Sequence, residues 1–339
     1  MSGLDFKDPL LQMNYGTAHF TASSTFSPPF KCRALVTVIG GGGSGAAYRT
    51  GTNSSECCVA CGGGAGGTAI SLLTLDPSVT YTVTVGAGGV RRGYSAVNAG
   101  LDGLSGGNSV FSGTGISTMT GTGGSGGAGD FDGSAAATAD GGAGGVPTGG
   151  NLANNTGGAG GDMTNSSTQA GKMMSSGGGA PGLLNSTGWK AESYDSGFET
   201  TTGGDQQGTG AGQTSEDSLA TAGMFDAKNS DLPISAYGLG SSILGACTGT
   251  SNVDSIYFLP NIGAGAIGHS NVAIGYPGGW FAGGGGNTSN GIVMTYGSDG
   301  GMGGGGGGGT CGKLATALQI YSGKGGDGWV FIEILGIVE

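Results

Sequence analysis

Apolar and β-branched residues gather in a few short runs, and glycine bounds nearly all of them. Cys32-Arg33-Ala34-Leu35-Val36-Thr37-Val38-Ile39 has the composition of a buried strand and runs straight into Gly40 to Gly43. Thr68-Ala69-Ile70-Ser71-Leu72 predicts a second strand, Asp76-Pro77-Ser78 a turn, and Tyr81-Thr82-Val83-Thr84-Val85 its return strand, which feeds Gly86 to Gly89. Near the C-terminus Gly328-Trp329-Val330-Phe331-Ile332-Glu333-Ile334-Leu335 predicts a strand that glycine enters from the other side. Residues 1–30, with Ser23, Ser24, Phe26 and a Pro28-Pro29 stop before Phe30, read as an extended arm or lead-in strand suited to attachment. The remainder, 31–339, reads as one glycine-rich β domain.

The glycine between these strands has a grammar of its own, the triplet Gly-Gly-x. Thr156, Ala159 and Asp162 stand three apart with glycine filling the gaps, and Ser125/Ala128, Ala143/Val146, Ala65/Thr68 and Lys324/Asp327 repeat the spacing. Three residues per turn is the period of polyproline II geometry, with a rise of about 3.1 Å and no internal hydrogen bonds. All side chains then fall on one edge, and the bare edges let neighbouring segments pair N–H with C=O laterally. Gly303 to Gly309 carries no side chain at all, spans about 22 Å at that rise, and fits the centre of a bundle. Runs with one substituted edge, such as 123–129 and 157–162, fit its periphery.

Composition sharpens this picture. Of 339 residues 84 are Gly and 9 are Pro, without a G-x-y period, which excludes a collagen triple helix. With 10% charged and 36% hydrophobic residues the chain is unlike the highly charged, apolar-poor sequences that stay disordered. Ordering a glycine costs about 0.5–1 kcal/mol relative to alanine in a regular element, so ordered runs need a contact that only glycine permits, and close backbone packing is that contact. The expected fold is therefore all-β with irregular polyglycine II: a small, sandwich-like β-strand frame carrying a bundle of polyglycine II helices, with almost no α-helix. Loop insertions are expected near 183–202 and 223–282, where the aromatic residues concentrate.

Charge and motifs remove several function classes. The net charge is −11 and the 11 basic residues are scattered, Arg91-Arg92 being an adjacent pair, so no nucleic-acid footprint is expected. The first residues carry Asp5, Lys7 and Asp8 and lack the apolar core of a secretory signal, and no run of about 18 apolar residues predicts a membrane span. Gly40, Gly42 and Gly45 satisfy G-x-G-x-x-G, but no helical apolar period follows to set a helix N-terminus against a phosphate, so no cofactor is expected. Cys57, Cys58 and Cys61 form a C-C-x-x-C cluster without the second spaced pair of a structural zinc site, which leaves free thiols, bridges and metal ligation open, and no metal is assigned. His19 and His269 stand far apart and the carboxylates occur mostly singly, so no catalytic constellation is expected.

Aromatic residues are the better candidates, because Tyr and Trp give large rigid contact area at little entropic cost. Tyr48, Tyr94, Trp189, Tyr194 and Phe198 are the candidate receptor-binding residues, whereas Tyr81, Trp329 and Phe331, on strands, are expected to serve the frame's own core.

The segment Phe20-Thr-Ala-Ser-Ser-Thr-Phe26, the run Ala34-Leu-Val-Thr-Val-Ile-Gly-Gly-Gly-Gly43, the run Tyr81-Thr-Val-Thr-Val-Gly-Ala-Gly-Gly89 and the closing Gly323-Lys-Gly-Gly-Asp-Gly-Trp-Val-Phe-Ile332 resemble the glycine-rich domain of bacteriophage tail-fibre and tail-tip proteins. The likeness covers most of residues 20–335, and the stretch 223–282 is poorer in glycine than such domains. The resemblance implies a virion adhesin, made in a host cytoplasm without a signal peptide, that binds a host-surface polysaccharide or protein receptor through loops on a rigid frame. Its implied partners are other tail or fibre proteins and further copies of itself, as a trimer. The alternative is a purely structural virion component, a tail-tip connector or capsid decoration without receptor contact.

Overall fold

The computed structural model describes residues 16–49, 57–94, 99–132, 137–165, 173–182, 283–289, 295–311 and 319–338, with short pieces at 188, 191, 194–195, 213–214, 269–270 and 281. Among these residues the protein is all-β, without a helix, in several sheets that are mostly antiparallel.

Two sheets face each other at one end. The first has the order Thr17–Phe20, Trp329–Ile337, Cys32–Ile39, Thr68–Leu75, Ala153–Asn155, antiparallel throughout. The second has the order Met119–Gly121, Ser109–Ser112, Tyr81–Thr84, Ser24–Phe26, also antiparallel. Alternation in the strands dictates which residues meet: Ala34, Val36, Val38, Val330 and Ile332 from the first sheet are fully buried against Tyr81, Val83, Phe111 and Met119 from the second. Tyr81 stacks on Phe111 with centroids 5.4 Å apart and rings 16° from parallel. Burial of each such side chain stabilises the sandwich by about 1.5–3 kcal/mol.

The turn at Asp76-Pro77-Ser78 forms as expected, held by the Asp76 carboxylate, which accepts from the Ser78 N–H at 2.8 Å and from its hydroxyl at 2.6 Å. The expected hairpin does not. Tyr81–Thr84 pairs with Ser24–Phe26 and Ser109–Ser112, so the turn carries the chain from one sheet to the other. The crossing sets Tyr81 and Val83 across the core from the first sheet, where they close it from the opposite side. Residues 17–20 and 24–26, expected in an N-terminal arm or lead-in, are edge strands of the two sandwich sheets.

From this sandwich the chain repeatedly leaves along glycine and reaches a second set of short strands. Residues 40–46 lead from Cys32–Ile39 to Ala47–Arg49, 122–128 from Met119–Gly121 to Gly129–Asp132, and 156–162 from Ala153–Asn155 to Met163–Asn165. Residues 61–67 return from Cys57–Ala60 to Thr68–Leu75, and 322–328 from Ile320–Tyr321 to Trp329–Ile337. The far strands form four small sheets, among them the five-stranded His269–Ser270, Asn287–Ser289, Gly309–Cys311, Ala47–Arg49, Ala99–Leu101, which contains parallel pairs.

Candidate functional site

The glycine segments between sandwich and far strands hydrogen-bond sideways, with a period of three. Along 40–46 the N–H groups of Gly40, Gly43 and Ala46 donate to carbonyls in 61–67. Those of Gly41 and Ser44 donate to 103–107, and those of Gly42 and Gly45 to 322–328, at 2.8–3.1 Å. Carbonyls of the same segment accept from 121–128, 86–89 and 303–309. Six segments thus surround 40–46 among the described residues, and each bonds to the next around the ring. Segment 61–67 has six such neighbours as well, and so does 303–309. These three also touch one another, so they form the interior of the array, while 123–129 and 157–162 lie on its outside.

Glycine is required here by close approach. A Cβ on Gly42 would stand 2.0 Å from the carbonyl oxygen of Gly304, one on Gly305 1.9 Å from that of Gly63, and one on Gly307 2.0 Å from that of Gly285. No rotamer relieves a clash with backbone. Where a triplet carries its third residue outward the side chain is tolerated, and Ser125 and Ala143 are exposed. The same geometry bears on the G-x-G-x-x-G run: the N–H groups of Gly40, Gly42 and Gly45 are each bonded to a carbonyl, the first in 61–67 and the other two in 322–328, and a strand follows instead of a helix.

The array's rim is closed by side chains that sequence reasoning passed over. Asp102 accepts from the N–H of Gly129, Asp162 from Gly141, Asp299 from Lys324 and Asp327 from Gly88, at 2.7–3.0 Å. The signal was present as single carboxylates beside glycine, and its meaning depends on which orphan N–H each one reaches. Asp299 also holds Arg91, at 2.7 Å, and the Arg91 guanidinium lies 5.4 Å from the Tyr296 ring centroid. Tyr296 in turn stacks on Tyr321, centroids 4.7 Å apart. Burial raises the Asp327 carboxyl, but the Gly88 N–H and the Lys324 ammonium outweigh it and hold the group below its ordinary value.

Of the candidate binding residues, three stand in far-end strands: Tyr48 in Ala47–Arg49, Tyr94 in Gly93–Tyr94, and Tyr194 in Tyr194–Asp195. The strands bearing Tyr48 and Tyr94 pack together, whereas Tyr194 pairs in parallel with Met163 in another sheet. Tyr48 is half-buried with its ring against the backbone of Gly100 and Gly129, and its hydroxyl donates to Asp102 at 3.0 Å. Trp189, Phe198 and most of 183–202 and 223–282 lie outside the described residues. Trp329 is sandwiched between Phe331 and Phe281, at 5.0 and 5.3 Å, and Tyr81 is in the core.

Cys58 and Cys61 are buried. Cys61 donates to the Ala139 carbonyl at 3.2 Å, and burial pushes it up to about 12, so the thiol is protonated at neutral pH. Among the described residues no helix is long and apolar enough to cross a membrane. No protein-family model matches the chain, and neither does any curated protein.

Proposed function

We propose that the protein is a non-enzymatic bacteriophage virion component, a tail-fibre or tail-tip adhesin whose glycine segments are polyglycine II helices bundled into a stiff pedestal. The observation that carries this reading is directional. Glycine segments join a sandwich at one end to short strands at the other, and the strands flanking 50–56, 95–98, 133–136, 166–172, 196–212, 215–268 and 312–318 all stand at that far end. The sandwich end has connections too, but the long ones, 196–212 and 215–268, are flanked by far-end strands, and long connections on a rigid support are an arrangement for recognition.

Polyglycine II supplies the stiffness. Lateral donors recurring every third residue are what a three-residue turn of about 3.1 Å rise per residue demands. Such a frame lowers the entropic cost of association by holding several weak contacts in place, and copies on one particle add avidity. The ligand class is a host-surface polysaccharide or protein, with Tyr48, Tyr94, Trp189, Tyr194 and Phe198 as contact candidates.

Two antibodies test this, one against the sandwich turn 76–80 and one against 196–212. Immunogold labelling of particles with the first should mark the tail tip or fibre, and the second should block adsorption to host cells. If both decorate particles and neither reduces adsorption, the protein is a structural connector or decoration.

A further inference from the structure

The three interior glycine segments do not come from one part of the chain. Segments 40–46 and 61–67 are N-terminal, and the third, 303–309, is close to the C-terminus. The same C-terminal stretch provides 322–328, which accepts from Gly42 and Gly45, and then Trp329–Ile337, which lies inside the five-stranded sheet between Thr17–Phe20 and Cys32–Ile39. Val330 and Ile332 in that strand are fully buried in the sandwich core.

Removing this stretch would orphan groups in both layers at once. Gly42, Gly45, Gly63 and Gly66 are all buried, and each donates to a carbonyl in 303–309 or 322–328. A buried N–H without a partner is strongly disfavoured. A glycine segment also has no side chain with which to collapse beforehand, so its neighbours must arrive together. Segment 140–145 differs: it donates to 61–67 and accepts from 121–128 and 156–162, so its loss leaves no interior N–H without an acceptor.

We infer that residues 295–311 and 319–337 are a closing clasp, a keystone on which the interior glycine segments and the sandwich sheet both depend, so that its release opens the two layers as one unit. Perimeter segments open separately. This inference rests on the hydrogen-bond connectivity and is independent of the adhesin reading.

Native-state hydrogen exchange on the full chain, read by mass spectrometry, tests it. Gly307→Ala strikes the clasp inside the array, and Val330→Ala strikes it more mildly in the sandwich, so that a folded protein is available to measure. Gly144→Ala, whose Cβ would stand 1.8 Å from the Gly157 carbonyl oxygen, strikes the perimeter. In either clasp variant, exchange at 32–39, 40–46 and 61–67 should accelerate in step with 303–309, by about tenfold or more. In Gly144→Ala the acceleration should stay within 140–145, 156–162 and the single amide of Ala65, which donates to Gly158. The clasp is overturned if 303–309 and 329–337 exchange quickly while 40–46 and 61–67 keep the protection of the unaltered protein, or if Gly144→Ala opens the interior equally.

Discussion

A glycine in this protein is defined by what lies where its side chain would be. At Gly42 that is a carbonyl oxygen 2.0 Å away, and at Ser125 the equivalent position is solvent. Gly42→Ala should therefore lower stability by about 3 kcal/mol or more, whereas Ser125→Ala should change it by less than about 0.5 kcal/mol, both read from urea midpoints. Titrating residues follow from their partners in the same way. Asp327 is held below its ordinary value, so it stabilises the fold above the unfolded carboxylate value of about 3.9 and that contribution disappears as pH falls through its lower folded value. Asp327→Asn should flatten the fall in melting temperature between pH 5 and pH 2, scanned by circular dichroism. Cys61 works in the opposite sense. Its thiol stays protonated in the fold to about 12 while the unfolded chain ionises near 8.5, so its contribution is lost as pH rises above that. Iodoacetamide at pH 8.5 should leave Cys61 unlabelled in native protein and alkylate it in denaturant, as peptide mass spectrometry would report.

Strands differ from glycine segments in how they find their places. Cys32–Ile39 and Trp329–Ile337 are ordered by apolar alternation against a shared core, and so both were readable as strands from their β-branched runs. Tyr81 shows the junction between local and distant constraints. Its ring stacks on Phe111 and covers Gly113, while its hydroxyl accepts the Asp76 N–H at 2.9 Å and fixes the turn that crosses between sheets. Tyr81→Phe keeps the ring and should cost about 1 kcal/mol; Tyr81→Ala removes it and should cost about 3–5 kcal/mol, by equilibrium unfolding. Far-end strands such as Gly93–Tyr94 and Tyr194–Asp195 span two residues, too short for any alternation to announce them. They exist because glycine segments deliver them side by side.

At the scale of the molecule, the three interior segments bond to one another and should be lost together. Unfolding should be a single cooperative transition in circular dichroism, and a coil spectrum without a melt would contradict the bundle. What the sequence determined was the strand runs that feed glycine, the three-residue spacing of the substituted positions, and the placing of the unsubstituted 303–309 run inside and of runs like 157–162 outside. Those are consequences of composition along a short stretch. Tertiary structure alone decided the partners: that Tyr81–Thr84 joins a different sheet from Thr68–Leu75, that Asp102, Asp162, Asp299 and Asp327 close the rim, that the Tyr48 ring packs on Gly100 and Gly129, and that the array's third centre comes from the far end of the chain. A glycine backbone offers the same N–H and C=O on every edge, so one glycine run carries no mark of which other run it will meet; the strands and side chains at its ends make that choice.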